Sequence, residues 1–154
     1  MKRLVWLLAL MASPAFAQIH IENAWSRATP PGTPIGVGYM TIRNTTPKPD
    51  KLIGASSPAA GSVEPHVTIK DGDISRMRKV PGYDIPANGT FTLQPGGAHL
   101  MLMNLKAPLK EGESVPLTLK FQHAGEVKTE LQVRALGATG GMGGMQGMGG
   151  MKHQ

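Results

Sequence analysis

Short runs of alternating or continuous apolar residues recur along the chain, and no long stretch repeats with a helical period. Gly, Pro, Asn and Asp separate the runs. The pattern predicts strands over Ile19–Trp25, Val37–Arg43, Lys51–Ala55, Ser62–Lys70, Ile74–Val80, Thr90–Leu93, His99–Leu105, Val115–His123 and Glu126–Arg134. Turn signals lie between them, among them Pro30-Pro31-Gly32, Asp71-Gly72, Pro95-Gly96-Gly97 and Ala124-Gly125. Many short strands at this spacing predict an all-β sandwich or barrel, here a Greek-key sandwich of about 120 residues.

The two ends fall outside that pattern. Lys2 and Arg3 precede an apolar run, Leu4–Ala12, which Ser13-Pro14 breaks before Ala15-Phe16-Ala17. This is the layout of a secretory signal peptide over residues 1–17. The run is too short to span a bilayer, which takes about 20 apolar residues. From residue 137 the composition changes: Met142, Met145, Met148 and Met151 recur every three residues in glycine, and His153 follows. A Gly/Met repeat of that period can bury neither a helix stripe nor a strand face, so 137–154 reads as a flexible tail. The β domain is then expected over 18–136, in a protein that is exported, soluble and not membrane-spanning.

The chain has no cysteine. That excludes disulfides, thiolate zinc sites, iron–sulfur clusters, CxxC redox motifs and blue-copper centres, and it leaves no anchor for a lipid after the cleavage site. Export without disulfides points to a bacterial periplasm. Removing Lys2 and Arg3 lowers the formal charge from +6 to +4, and no basic cluster interleaves with aromatics, so nucleic-acid binding is not expected. No paired carboxylates and no nucleophile–base set stand out, so the protein reads as a non-enzyme.

Ten methionines against three phenylalanines is the unusual feature of the composition. Two segments give methionine a chemical role. In the first, an Asp71-Gly72 turn would oppose His66 to Met77 across a hairpin. That face also carries Thr68, Lys70, Asp73 and Ser75 and is expected to be wet, whereas Val67, Ile69 and Ile74 are expected to face the core. In the second, strand alternation sets His99, Met101 and Met103 on one side and Leu100 and Leu102 on the core side. A methionine in a strand ordinarily fills a core. Two His–Met pairs turned outward have no such packing reason, and two imidazoles with two thioethers suit a soft, low-valent ion such as Cu(I).

The spacing His66-x10-Met77-x21-His99-x-Met101 resembles the H-x10-M-x21-H-x-M motif of the PCu(A)C-type periplasmic copper chaperones. The resemblance extends to Ala24-Trp25-Ser26-Arg27-Ala28-Thr29-Pro30-Pro31-Gly32, Gly38-Tyr39-Met40, Met77-Arg78, Pro95-Gly96-Gly97 and Gly125 with Val127. It implies a cupredoxin-like β-sandwich that holds one Cu(I) through His66, Met77, His99 and Met101. It also implies delivery of that copper to the CuA centre of cytochrome c oxidase, through subunit II or an assembly factor. Many members carry extra methionines where this chain has Thr68 and Ser75.

Further candidates are weaker. Met142, Met145, Met148, Met151 and His153 could form a second copper-capturing arm, with His153 able to add a nitrogen for Cu(II), which makes sequestration for copper tolerance the alternative reading. His20 would stand third in a chain beginning at Gln18, where it could chelate Cu(II) with the N-terminal amine. Met103 either shields the metal or packs. Met40 and Trp25 read as core residues and His123 as surface.

Overall fold

A computed structural model of the protein describes residues 18–139. They form ten strands: β1 (Ile19–Arg27), β2 (Ile35–Asn44), β3 (Asp50–Ser56), β4 (Ala60–Asp71), β5 (Ile74–Lys79), β6 (Tyr83–Ile85), β7 (Gly89–Leu93), β8 (Ala98–Leu105), β9 (Ser114–Phe121) and β10 (Gly125–Arg134). Each of the nine expected strands is present within a few residues of its expected bounds. The sequence pattern does not anticipate β6, whose three residues are too few to show alternation. The signal-peptide reading of 1–17, and the tail reading from residue 140 onward, lie outside the described residues.

The class is all-β, as expected, but the pairing is one continuous sheet rather than two packed ones. The order β4-β8-β2-β1-β10-β9-β3 returns to β4 through Ala55 and Val63, so seven strands close into a barrel-like ring. Closure follows because β3 bonds β9 along one edge and β4 along the other. Strand β5 pairs with β4, β6 with β3, and β7 with β2, outside the ring. Only β1 and β10 run parallel.

One face of each ring strand lines the interior. Leu100 and Leu102 of β8 meet Met40 and Ile42 of β2, alternate residues Leu117, Leu119 and Phe121 of β9, and Leu131 of β10, all essentially inaccessible. Burying a side chain of this size contributes roughly 1.5–3 kcal/mol. In β1 a bulge between Glu22 and Trp25, with Asn23 at φ 50°, reverses the alternation. Ile19 points inward before it and Ser26 after it, where the Ser26 hydroxyl donates to the Val37 carbonyl at 2.7 Å.

The bulge turns Trp25 to the outer face, where it is buried, as expected, but against a second, smaller cluster. It is 2% exposed yet lies apart from the main cluster, packed against Tyr39 with ring centroids 4.7 Å apart and planes tilted by 36°. The guanidinium of Arg134 lies 5.0 Å from its ring centroid, and that of Arg27 lies near both rings. Met40 is a core residue and His123 is exposed, as read from the sequence.

Strand β6 depends on Gly82. A Cβ there would collide with the Leu52 carbonyl of β3, the strand to which β6 is bonded through the Leu52–Tyr83 pair. Backbone cannot yield as a flexible side chain can. Gly82→Ala is therefore expected to cost about 1–3 kcal/mol, read as a lower midpoint in chemical denaturation with an unchanged slope.

Candidate functional site

The ladder between β4 and β8 sets His66 opposite His99, Glu64 opposite Met101 and Ser62 opposite Met103. Cross-strand partners share a face. These residues therefore stand together on the outside of the ring, opposite the Leu100 and Leu102 face. Three of the candidate ligands, His66, His99 and Met101, come together here, and Met77 shares the face on the next strand, though not where the sequence predicts.

Met77 does not oppose His66. It opposes Thr68, and His66 opposes Lys79. The reason is the turn. Asp71 pairs with Ile74, so the central residues are Gly72 and Asp73 rather than Asp71 and Gly72. Gly72 has φ 60° and Asp73 has no positive φ, the type II′ arrangement with glycine first. The register moves by two residues, which leaves each side chain on its expected face. Met77 becomes a diagonal neighbour of His66, with Cα atoms roughly 7–8 Å apart.

Burial also departs from expectation. Ile69 is 41% exposed and Ile74 56%, so neither faces a core. Strand β5 pairs only with β4 among the described strands, and all six of its residues are exposed. Met77 is 62% exposed. His99 and Met101, expected to face water, are 3% and 9% exposed. Strand β8 lies between β4 and β2, so Met101 is flanked by Glu64 and Val37. The His99 ring lies against that of His66, with centroids 5.8 Å apart and planes at 28°. Met103 is half-buried on the same face.

Each imidazole spends one nitrogen on a hydrogen bond. His66 Nε2 meets Glu64 Oε2 at 3.3 Å, and the other Glu64 oxygen accepts from Lys79 Nζ at 3.0 Å. His99 Nδ1 donates to the Gly97 carbonyl at 3.2 Å. The remaining nitrogens, His66 Nδ1 and His99 Nε2, are buried with no hydrogen-bond partner. The bonded nitrogen carries the proton, so each free nitrogen presents a lone pair. A buried polar atom without a partner costs about 1–3 kcal/mol, and two such lone pairs on facing rings fit a shared electrophile. No group of three or more His, Asp and Glu residues arranged to hold a metal occurs among the described residues. Further donors would have to be thioethers, and Met101 and Met77 share the face.

Glu64 and Lys79 join the site without having been anticipated. Glu64 lies two residues before His66 in one strand, a spacing visible in the sequence. Lys79 comes beside Glu64 only with the turn centred on Gly72 and Asp73, which sets Lys79 opposite His66. Lys79 and then His66 hold the Glu64 carboxyl below the usual carboxylate range. His20 is exposed on β1 opposite Arg43, on the far side of the bulge from Trp25. It does not join the cluster. Met142, Met145, Met148, Met151 and His153 lie outside the described residues. The described chain ends on the outer face, where Arg27 Nε donates to the Ala138 carbonyl at 2.7 Å.

The LpqE-like family matches residues 19–133, nearly the whole described chain. The chain belongs to that family. A lipoprotein of Leifsonia xyli (Lxx21020) is 38% identical over 104 residues, covering 67% of this chain and 61% of its own length. The chain thus spans about three fifths of the length of the curated relatives it matches. Among solved structures, the copper-bound PCuAC domain from PmoF2 is similar at a TM-score of 0.67 with 30% identity, covering 77% of this chain and 93% of that one. The solution structure of CuI-DR1885 from Deinococcus radiodurans is similar at 0.59 with 41% identity, covering 72% and 74%. The LpqE-like fold of this chain is thus shared with copper-binding PCuAC domains.

Burial pushes the His99 pKa below its ordinary 6.5, and the nearby His66 pushes the same way against the Gly97 hydrogen bond, which raises it. The unfolded chain then holds more protons than the folded one just below pH 6.5. Stability of the metal-free protein should decline as pH falls from that value toward the lower folded pKa. A proton NMR titration should place the His99 midpoint below 6.5. A midpoint above it would mean that the ring is not buried as described.

Proposed function

We propose that this protein is a periplasmic copper chaperone that holds one Cu(I) through His66, Met77, His99 and Met101 and passes it on by ligand exchange. The observation that carries this reading is the pair of buried, partnerless nitrogens, His66 Nδ1 and His99 Nε2, on stacked rings of the face that also carries Met101 and Met77. Two neutral nitrogens and two thioethers form a soft donor set. Such a set favours Cu(I), and without thiols it escapes loss to disulfides in an oxidising compartment. The likeness to a copper-bound PCuAC domain and to CuI-DR1885 supports the same cargo.

The four donors differ in how firmly they are held. His99 and Met101 are buried on a central strand, and His66 lies beside them. Met77 is exposed on an edge strand with no core beneath it. In the proposed mechanism Met77 is the first ligand displaced, since the least anchored donor is the easiest for an incoming ligand to replace. The receiver in this reading is the CuA site of cytochrome c oxidase subunit II or an assembly factor. The chain performs no covalent chemistry.

A second reading, copper sequestration by the methionine-rich tail, has one observation in its favour. The bond from Arg27 to Ala138 starts that tail on the face that carries Met101. Cross-strand order sets Arg27 beside Arg134, and Met101 beside Val37 on the strand next to β1.

Anaerobic Cu(I) competition titrations separate the two readings. The full chain and a chain ending at residue 139 should each show one tight equivalent. His99→Ala should weaken it by more than about 100-fold, because even changes behind the ligands cost 10–100-fold. Met77→Ala should weaken it less and speed transfer to a competing chelator. Loss of all tight binding on removing the tail would make sequestration the function. His66 and His99 must be neutral to bind, so Cu(I) retention should also fall in acid, more steeply for the folded site than for the tail.

A further inference from the structure

The Tyr83 hydroxyl lies between the two histidine strands. It accepts a hydrogen bond from the His66 N–H at 2.9 Å and lies 2.6 Å from both the His66 and the His99 carbonyl oxygens. It has one proton, so it donates to one of these carbonyls at a time. The ring is 4% exposed, belongs to the interior cluster and stacks on Phe91 at 4.9 Å. The phenol therefore reaches the β4–β8 seam from inside the ring, whereas the imidazoles stand on the outer face. Three backbone groups belonging to two residues on different strands are tied to a single oxygen.

We infer that Tyr83 is the positioning residue of the copper site, fixing the separation of the His66 and His99 backbones so that Nδ1 of one and Nε2 of the other can share a metal. This rests on the chaperone reading above. A ligand ring turns and shifts with its Cα, and two rings serving one ion tolerate little relative movement of their strands. Elsewhere β4 and β8 are held by the sheet's own pairing. At the histidine pair a side chain from a third strand supplies added bonds. That strand is pinned by the close approach of Gly82 to Leu52. No other described residue hydrogen-bonds the backbone of both histidines through its side chain.

The test is Cu(I) affinity of the full-length mature chain, compared for wild type, Tyr83→Phe and Phe91→Leu, with stability measured in parallel. Tyr83→Phe keeps the ring and removes only the oxygen. It should weaken Cu(I) binding about tenfold or more, in the range found for groups behind a metal ligand. Phe91→Leu removes the stacking partner and leaves the hydroxyl. It should destabilise the fold while leaving the affinity within about twofold of wild type. In wild type, one equivalent of Cu(I) should shift the Tyr83 Cζ resonance, a readout available even if the Phe variant fails to fold. Wild-type affinity in Tyr83→Phe would overturn the inference and leave the chaperone reading intact. So would equal weakening in both variants at equal stability loss, or an unmoved Cζ resonance in copper-loaded wild type. Absence of a tight Cu(I) site in wild type would overturn both.

Discussion

The register of β4 against β8 is the constraint on which the site depends. A slip of one residue would turn His66 into the barrel and carry Val63 out of it. A slip of two would oppose His66 to Met101 or to Gly97 and separate the imidazoles. The first error is prevented by the interior: Val63, Leu100 and Leu102 are 7%, 0% and 0% exposed and cannot exchange faces with Glu64, His99 and Met101. Hydrophobic patterning does not prevent the second, because a two-residue slip preserves it. The closing turns and the interior packing must do so. The β4–β3 contact at Val63 and the Tyr83 hydroxyl at His66 each fix β4 lengthwise.

The support on the two sides of β4 is unequal. On one side β8 is a central strand with a packed interior face. On the other, β5 ends the sheet with every residue exposed. An edge of this kind invites pairing with another chain, and Arg76, Arg78 and Lys79 on a six-residue strand are the usual deterrent. The same lack of backing makes β5 the least costly part of the sheet to open, because few buried apolar contacts are lost when it moves. Under the proposed reading, placing Met77 there and the other three donors on the rigid side would give a site with most of its donors anchored and one free to leave.

Much of this was legible in the sequence because strand alternation reports faces. Leu100 and Leu102 against His99 and Met101 give the correct sides of β8, and the side of the hairpin carrying His66 and Met77 is right even with the turn misplaced. What alternation cannot report is depth. It assigns His99 and Met101 to the outer face and therefore to water, but neighbouring strands cover them. It assigns Ile69 and Ile74 to the inner face, although the hairpin has outrun the interior. The turn error has a local cause: Asp71-Gly72-Asp73 allows glycine as first or second central residue, and the flanking residues do not decide. Tyr83 was invisible because its role depends on a three-residue strand and a seam between two others. The bulge at Asn23, which turns Trp25 away from the main cluster, is likewise set by a single backbone angle.

Charge around the histidine pair bears on which ion the site prefers. Among the described residues, the carboxylate bonded to this pair is that of Glu64, whose two oxygens are engaged by Lys79 and His66. A harder, doubly charged ion would gain most from an oxygen anion and least from thioethers. To recruit Glu64 it would have to break the Lys79 ion pair and the bond that orients His66. A soft monovalent ion needs neither, and it leaves the carboxylate in place as a balancing charge close to the metal. An exposed ion pair such as Glu64–Lys79 contributes little to folding. Its physical consequence is to withhold the Glu64 carboxylate, so that under the proposed reading the same contacts that aim His66 also bias the site toward Cu(I).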